Sequence, residues 1–282
     1  MTYPALDVSG ADADLVLAIV DDFSPSAVED LPSGGISIFF TSVAKRDAAQ
    51  EAVAAAFPSA TLTPRLVDDE DWARRSQQAL TAVTVGRLTV TPPWCDEATA
   101  PRAGRTPDGP ITIVITPSMG FGTGHHVTTR LCLAALQTLD LSDARVLDVG
   151  TGSGVLAIAA ALLGARSSLG IDFDEDAITS ARENMDANPD ASNVTFQTID
   201  VRDAPLVPAD VVLANLTGGT IVQSAGMLKS AVAAGGSLIL SGVQEHEEDE
   251  VLAAFAPATP SWVRKDLGWV GIMFNDWTRT QV

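Results

Sequence analysis

The sequence predicts an α/β fold, with a seven-stranded, mostly parallel sheet that ends in an antiparallel hairpin and a small α+β unit ahead of it. Three observations carry this prediction. From Ile111 onward, short apolar runs alternate with helical stretches, which is the rhythm of βαβ units in a parallel sheet. The last two strand-like runs, 261–266 and 269–275, are separated by too few residues for a crossover, so they must pair antiparallel. Upstream of residue 68 the runs are short and mixed, with an alanine-rich helix set among strands.

The chain has 282 residues, room for one domain of ordinary size and a smaller one. Hydrophobic residues make up 46% and charged residues 19%, the balance of a folded globular chain. Acidic residues number 36 against 17 basic ones, a formal net charge of −19. Such a field repels phosphate backbones, so direct nucleic acid binding is not expected. It either keeps the chain soluble or favours a basic partner. Cys95 and Cys132 lie far apart and, with His125, His126 and His246, lack metal-ligand spacing; no disulfide framework and no metal site are expected. The longest strongly apolar stretch, 155–165, is too short to cross a bilayer, and the first residues lack a basic segment leading into an apolar one. A cytoplasmic, membrane-free protein is expected.

Taken in order, residues 1–67 read as the small α+β domain. An apolar run at 15–20 is followed by a Pro/Gly turn, a strand at 36–40, a helix near 47–57 and a last strand at 61–67. Residues 68–110 read as a linker region containing a charged helix at 72–80, a strand at 87–91 and an exposed Pro/Gly/Arg-rich loop at 92–110. The second, larger domain is 111–282. In it, 145–149 is a buried strand, 155–163 an apolar helix and 168–171 the next strand. The helix at 174–188 puts Ile178, Ala181 and Met185 on one face and is capped by Asp174. Strands at 194–199 and 210–216 continue the sheet. A helix at 220–234 should stop at Gly235-Gly236, and a fifth strand at 237–241 and an acidic helix at 244–255 precede the hairpin.

In an open parallel sheet, ligands sit at the carboxyl ends of the strands, where strand order reverses. The run Asp148-Val149-Gly150-Thr151-Gly152-Ser153-Gly154 falls there. Its glycines let the backbone turn sharply from strand to helix and approach a ligand closely. Asp148 and the exposed amides of the loop suit a zwitterionic methionyl group. Asp172, just past the next strand, suits the two ribose hydroxyls of an adenosine cofactor. The plainer reading of Asp172 is a cap for the helix that begins near Asp174. Gly152-x-Gly154-x-x-Ala157 with Asp172 also satisfies a nicotinamide dinucleotide fingerprint. Asp148, the closing hairpin and Ala214-Asn215-Leu216 at the end of the fourth strand favour S-adenosylmethionine instead.

Asn215 stands where a methyl acceptor would lie, and its side-chain oxygen is suited to accept a hydrogen bond from a neutral amine and aim its lone pair. Positioning is the main catalytic task in such a displacement. The second informative stretch runs from Thr116 to Thr129, a glycine-hinged loop leading into a helix. Thr128 and Thr129 cap that helix or bond the cofactor, and Phe121 covers the adenosine or lines the acceptor channel. His125 and His126 either position the loop or abstract a proton. Thr123 and Asp200 complete the expected cofactor-binding set.

Phe-Gly-Thr-Gly-His-His-x-Thr-Thr from Phe121, Leu-Asp-Val-Gly-Thr-Gly-Ser-Gly from Leu147 and Ala-Asn-Leu from Ala214 occur in order. With these motifs the chain resembles the ribosomal protein L11 methyltransferase family, PrmA, from about Ile111 to the end, with a fainter echo at Asp69-Glu70-Asp71-Trp72. The resemblance implies a class I methyltransferase with a Rossmann-like seven-stranded sheet, S-adenosylmethionine as cofactor, and a small N-terminal domain that recognises a ribosomal protein. It implies methylation of lysine side chains and an N-terminal α-amine, and cofactor contacts at Thr129, Gly150, Asp172 and Asn215. Ser118 and Gly120 depart from the family pattern, where Gly and Ala are usual, as does Thr217-Gly218-Gly219; these fall on the acceptor side. The N-terminal region carries no matching motif. A methyltransferase of another protein, such as the electron-transfer flavoprotein β-subunit, would share the motifs. A small-molecule methyltransferase and a cofactor-binding module without activity are the remaining alternatives.

Overall fold

In the computed structural model, which describes residues 2–11, 13–20, 23, 25, 27–31, 34–68, 80–96, 109–116, 126–200 and 206–278, the chain divides into two units, Met1–Ala79 and Leu80–Val282. The first unit runs β1 (Thr2–Ser9), α1 (Ala13–Val20), β2 (Ala27–Asp30), β3 (Ile36–Phe39), α2 (Val43–Ala56) and β4 (Thr61–Asp68). Its sheet has the order β2-β3-β1-β4 with antiparallel pairings throughout, which is the ferredoxin-like βαββαβ arrangement. Leu6 and Val8 of β1, with Ile36 and Ile38 of β3, alternate onto the face that receives Val16 and Val20 of α1 and Ala49 and Val53 of α2. Ser42 caps α2, its hydroxyl accepting the Lys45 amide at 3.3 Å. Strand β1 has no counterpart in the sequence reading. It is an interior strand containing Pro4, a residue normally confined to sheet edges, and a proline there disguises the alternation.

The second unit opens with β5 (Val83–Val85), β6 (Leu88–Thr91) and β7 (Ile111–Val114), a three-stranded sheet in which β5 and β6 form a hairpin and β7 lies parallel to β6. Residues 83–91, expected in a linker, thus belong to this unit. Leu88, Val90 and Ile113 are buried in one core with Leu133 and Leu136 of α3 (Val127–Leu136). The α3 C-cap, Gln137, locks the hairpin turn: its Oε1 accepts the Arg87 amide at 2.9 Å and its Nε2 donates to the Val85 carbonyl at 2.9 Å. The Pro/Gly/Arg signal comes from 92–110, most of which, like the expected helix at 72–80 except for Leu80, lies outside the described residues.

There follow β8 (Arg145–Val149), α4 (Val155–Leu162), β9 (Ser167–Asp172), α5 (Glu175–Asp186), β10 (Val194–Thr198), β11 (Ala209–Asn215), α6 (Gly218–Gln223), α7 (Ala225–Ala231), β12 (Val232–Gln244), α8 (Glu248–Ala254), β13 (Trp262–Asp266) and β14 (Trp269–Phe274). The seven strands lie in the order β10-β9-β8-β11-β12-β14-β13. The pairings among the first five are parallel, and β14 runs antiparallel to both its neighbours. One buried cluster holds the wholly apolar α4 with Ile178 and Ala181 of α5, and a second holds Ile221, Leu228 and Val251 of α6, α7 and α8. This is the expected α/β sheet with its antiparallel hairpin.

Two local expectations change. The single helix at 220–234 is two short ones divided at Ser224, and it ends at Ala231. Gly235-Gly236 therefore do not terminate it; they sit inside β12, where a Cβ on Gly236 would come within 2.7 Å of the Asp210 carbonyl oxygen and push β12 off β11. The acidic helix at 244–255 begins with a 3-10 turn at Glu245–Glu247, closed reciprocally by Gln244 and Glu247. Among the described residues no helix is long and apolar enough to cross a membrane.

Candidate active site

The strand order reverses between β8 and β11, and this gap opens a cleft of about 1000 Å³ at the carboxyl ends of the strands. Its wall is built by the ends of β8 (Val149, Gly150), β9 (Ile171, Asp172) and β11 (Asn215, Leu216). Ile199 and Asp200 beyond β10, and the first residues of α3, extend it.

The glycine loop divides its duties. Gly150 has φ 71° and lines the cleft, and its amide donates to the Ile171 carbonyl at 2.9 Å, tying the loop to β9. A Cβ there would run into the Leu216 side chain. Gly154, φ 81°, is the N-cap of α4 and is not part of the cleft wall; a Cβ there would meet the Phe196 ring at 2.7 Å and the Ala181 Cβ at 3.1 Å. It is a packing residue that lets α4 settle on its neighbours. Asp148 likewise stands behind the loop and not in the cleft. It is 1% exposed, and its Oδ2 accepts the Thr151 hydroxyl at 2.6 Å. Its Oδ1 has no hydrogen-bond partner among the described residues. Burial pushes its carboxyl up to about 7, against the opposing effect of the Thr151 hydroxyl.

Asp172 lines the cleft and makes two local hydrogen bonds, but it is not the cap of the following helix. Its Oδ2 accepts the Gly152 amide at 3.0 Å and its Oδ1 accepts the Asp174 amide at 3.2 Å. It braces the glycine loop while lining the cleft, and each carboxylate oxygen retains capacity for a further bond. The cap of α5 is Asp174, whose Oδ1 accepts the Asp176 amide at 2.9 Å. Phe173, 74% exposed, and Asp200 stand on the same side of the cleft.

At the other end, the Asn215 Nδ2 faces the Thr129 Oγ1 at 3.5 Å, joining β11 to the first turn of α3. His126 is the N-cap of α3. Its Nδ1 accepts the Thr128 amide at 3.4 Å and lies 2.8 Å from the Thr128 hydroxyl, and its ring meets Trp269 edge-on at 4.9 Å. Burial, with the Arg130 charge second, holds its pKa below the usual value, which favours the neutral ring. Of the residues singled out from the sequence, Thr129, Gly150, Gly152, Asp172, Asp200, Asn215 and His126 come together on this cleft. Phe121, Thr123 and His125, with Ser118 and Gly120, lie outside the described residues. Sequence reasoning missed Phe173, Gly242 and Trp269 on the wall. Only Phe173, adjacent to Asp172, carried a positional signal.

The family model of the ribosomal protein L11 methyltransferases (PrmA) matches residues 28–276. A relative of that name from Geobacter sulfurreducens is 41% identical over 263 residues, covering 89% of this chain and 84% of the relative. One from Pseudomonas fluorescens is 40% identical over 192 residues, covering 68% of this chain and 63% of the relative. The crystal structure of a ribosomal protein L11 methylase from Lactobacillus delbrueckii subsp. bulgaricus is similar with a TM-score of 0.61 and 25% identity, over 71% of this chain and 100% of that one. With a family match over most of its length and the expected seven-stranded sheet with its antiparallel hairpin around the cleft, the chain belongs to the ribosomal protein L11 methyltransferase (PrmA) family.

Proposed function

We propose that this chain is an S-adenosylmethionine-dependent methyltransferase of the cytoplasm that modifies lysine side-chain and N-terminal amines of ribosomal protein L11. The observation that carries the reading is that a single cleft has Asp172 at one end and Asn215, paired with Thr129, at the other. A nucleoside needs a hydrogen-bonding carboxylate and backbone that approaches closely; an amine acceptor needs a carbonyl oxygen to aim it. The fit rests on the cradle at Gly150, which a Cβ would fill against Leu216, and on the unsatisfied capacity of Asp172.

In this reading Asp172 takes the ribose hydroxyls, Gly150 and Gly152 give the methionyl group room at the loop, Asp200 lies on the adenine side, and Thr129 holds Asn215 in place. Asp148 acts from behind, bracing the loop through Thr151. When bound, S-adenosylmethionine supplies an already activated methyl group, so the chain needs no covalent intermediate of its own. The carboxamide of Asn215 orients the amine. The remaining described wall on that side, Thr217, Thr220, Gln223 and Trp269, carries no acid or base. In this reading the amine loses its proton through desolvation, from a reference pKa of about 10.4, and His126, whose Nδ1 is engaged by the Thr128 amide and hydroxyl, serves as a helix cap and a wall. The ferredoxin-like unit recognises the protein substrate, and the net charge of −19 suits a basic one.

The test is labelled methyl transfer from S-adenosylmethionine to purified ribosomal protein L11, with modified positions mapped by mass spectrometry. Labelling of lysine and N-terminal amines is expected. Transfer only to a different protein in a lysate, or to small molecules alone, would sink the L11 assignment.

A further inference from the structure

Helix α5 carries two buried carboxamides, Asn184 inside it and Asn188 just past its end, each 1% exposed. Asn188 holds one strand residue at both ends: its Oδ1 accepts the Val114 amide at 2.9 Å and its Nδ2 donates to the Val114 carbonyl at 2.7 Å, as a neighbouring strand would, and the same Nδ2 also donates to the Asn184 backbone carbonyl at 2.7 Å. Asn184 joins two separate segments. Its Oδ1 accepts the Thr116 amide at 2.8 Å, and its Nδ2 donates to the Ser153 carbonyl at 2.9 Å. Ser153 lies between Gly152, whose amide is held by Asp172, and Gly154, the cap of α4. Thr116 directly follows the β7 ladder, at the root of the stretch that carries the motif from Phe121.

We propose that Asn184 is a positioning residue that fixes the orientation of the glycine loop for the cofactor and ties it to the root of the Thr116–Thr129 stretch. The proposal rests on the reading of the glycine loop as the cofactor cradle. The physical ground is the asymmetry of a carboxamide: one donor end and one acceptor end, each committed to a different segment. A hydrogen bond made from a wholly buried side chain is expensive to leave unmade. The Ser153 carbonyl shares its peptide plane with the Gly154 amide, which donates to the Thr151 carbonyl at 2.9 Å; turning that plane would break this bond and shift the tight turn that presents the Gly152 amide to Asp172, although Asn184 itself does not line the cleft.

Asn184→Asp is nearly isosteric, keeps an acceptor for the Thr116 amide and replaces the donor toward Ser153 with oxygen. Asn184→Leu removes both arms. Asn188→Leu is the control, since it loses the β7 contacts and the bond to the Asn184 backbone carbonyl but keeps the Asn184 side chain and both of its arms. In calorimetry with S-adenosylmethionine, both Asn184 variants should bind roughly ten-fold more weakly, whereas Asn188→Leu should stay within about two-fold while melting at a lower temperature. With cofactor absent, hydrogen exchange at residues 150–155 should accelerate in Asn184→Asp and remain slow in Asn188→Leu. Transfer rate at saturating cofactor should fall further in Asn184→Leu than in Asn184→Asp. The proposal is overturned if Asn188→Leu weakens binding as much as the Asn184 variants do, or if Asn184→Asp binds and exchanges as wild type does. If the unaltered chain binds no S-adenosylmethionine, the cofactor reading fails, and the exchange measurement still decides whether Asn184 holds the loop.

Discussion

Asp148 and Asp172 bear the same functional group at the ends of adjacent strands, yet their surroundings give them opposite tasks. Asp148 is sealed behind the glycine loop, so burial favours its protonated form. The folded chain then binds a proton that the unfolded chain releases near pH 4, and stability falls as pH rises from about 4 toward about 7. Asp148→Asn cannot titrate. The stability of wild type relative to this variant, from urea unfolding, should therefore decline across that window by an amount on the order of a few kcal/mol. A difference that stays flat would show that the carboxyl is not held protonated. Asp172 faces the cleft and holds the Gly152 amide as well. Asp172→Ala should weaken S-adenosylmethionine binding by roughly 100-fold, the loss of two charge-assisted hydrogen bonds. Asn215→Ala, by contrast, should chiefly lower kcat, since aiming the acceptor matters more at that end. Calorimetry on both variants beside steady-state kinetics separates the two effects.

Among the elements, the β8 to α4 turn distinguishes glycines that serve the ligand from those that serve packing. Gly150 and Gly154 both have positive φ, so alanine at either should destabilise the fold by about 1 kcal/mol or more through the backbone alone. Their added methyl groups meet different neighbours: Leu216 on the cleft wall for Gly150, and the Phe196 ring in the core for Gly154. Thermal melts should report damage in both variants. Cofactor affinity, measured well below the melting temperature, should fall strongly for Gly150→Ala. Gly154→Ala should stay close to wild type once folded, and an equal loss of affinity in both would contradict the division of roles.

For the molecule as a whole, the division at 79/80 and the pairing of β6 with β7 bear on where the catalytic unit begins. A chain starting at Leu80 retains Leu88 and Val90 in the core beside Ile113, and it should fold and bind S-adenosylmethionine within a few-fold of the full chain. It should lose most transfer to ribosomal protein L11, because the ferredoxin-like unit is assigned recognition. A chain starting at Ile111 leaves β7 without its partner and opens that core; it should be insoluble or melt early. Circular dichroism and binding of the two truncations check both expectations.

The sequence by itself determined the rhythm of strands and helices after Ile111, the antiparallel hairpin, and the glycine loop with its downstream carboxylate. Each of these is written in local spacing or in a connection too short for a crossover. It also placed Asn215 and Thr129 in the site through motifs that occur in order. The tertiary structure alone decided which members of that set face the cleft. Asp148 and Gly154 are turned into the core by the packing of α4 and β9, a matter of direction that a one-dimensional pattern does not record. It decided that 88–91 pairs with a strand beyond the Pro/Gly/Arg-rich segment, because sheet pairing joins residues distant in the chain. For the same reason Phe173, Gly242 and Trp269 join the wall without a motif to announce them, and Asn184, an ordinary helix residue in sequence, binds two segments far from it in the chain.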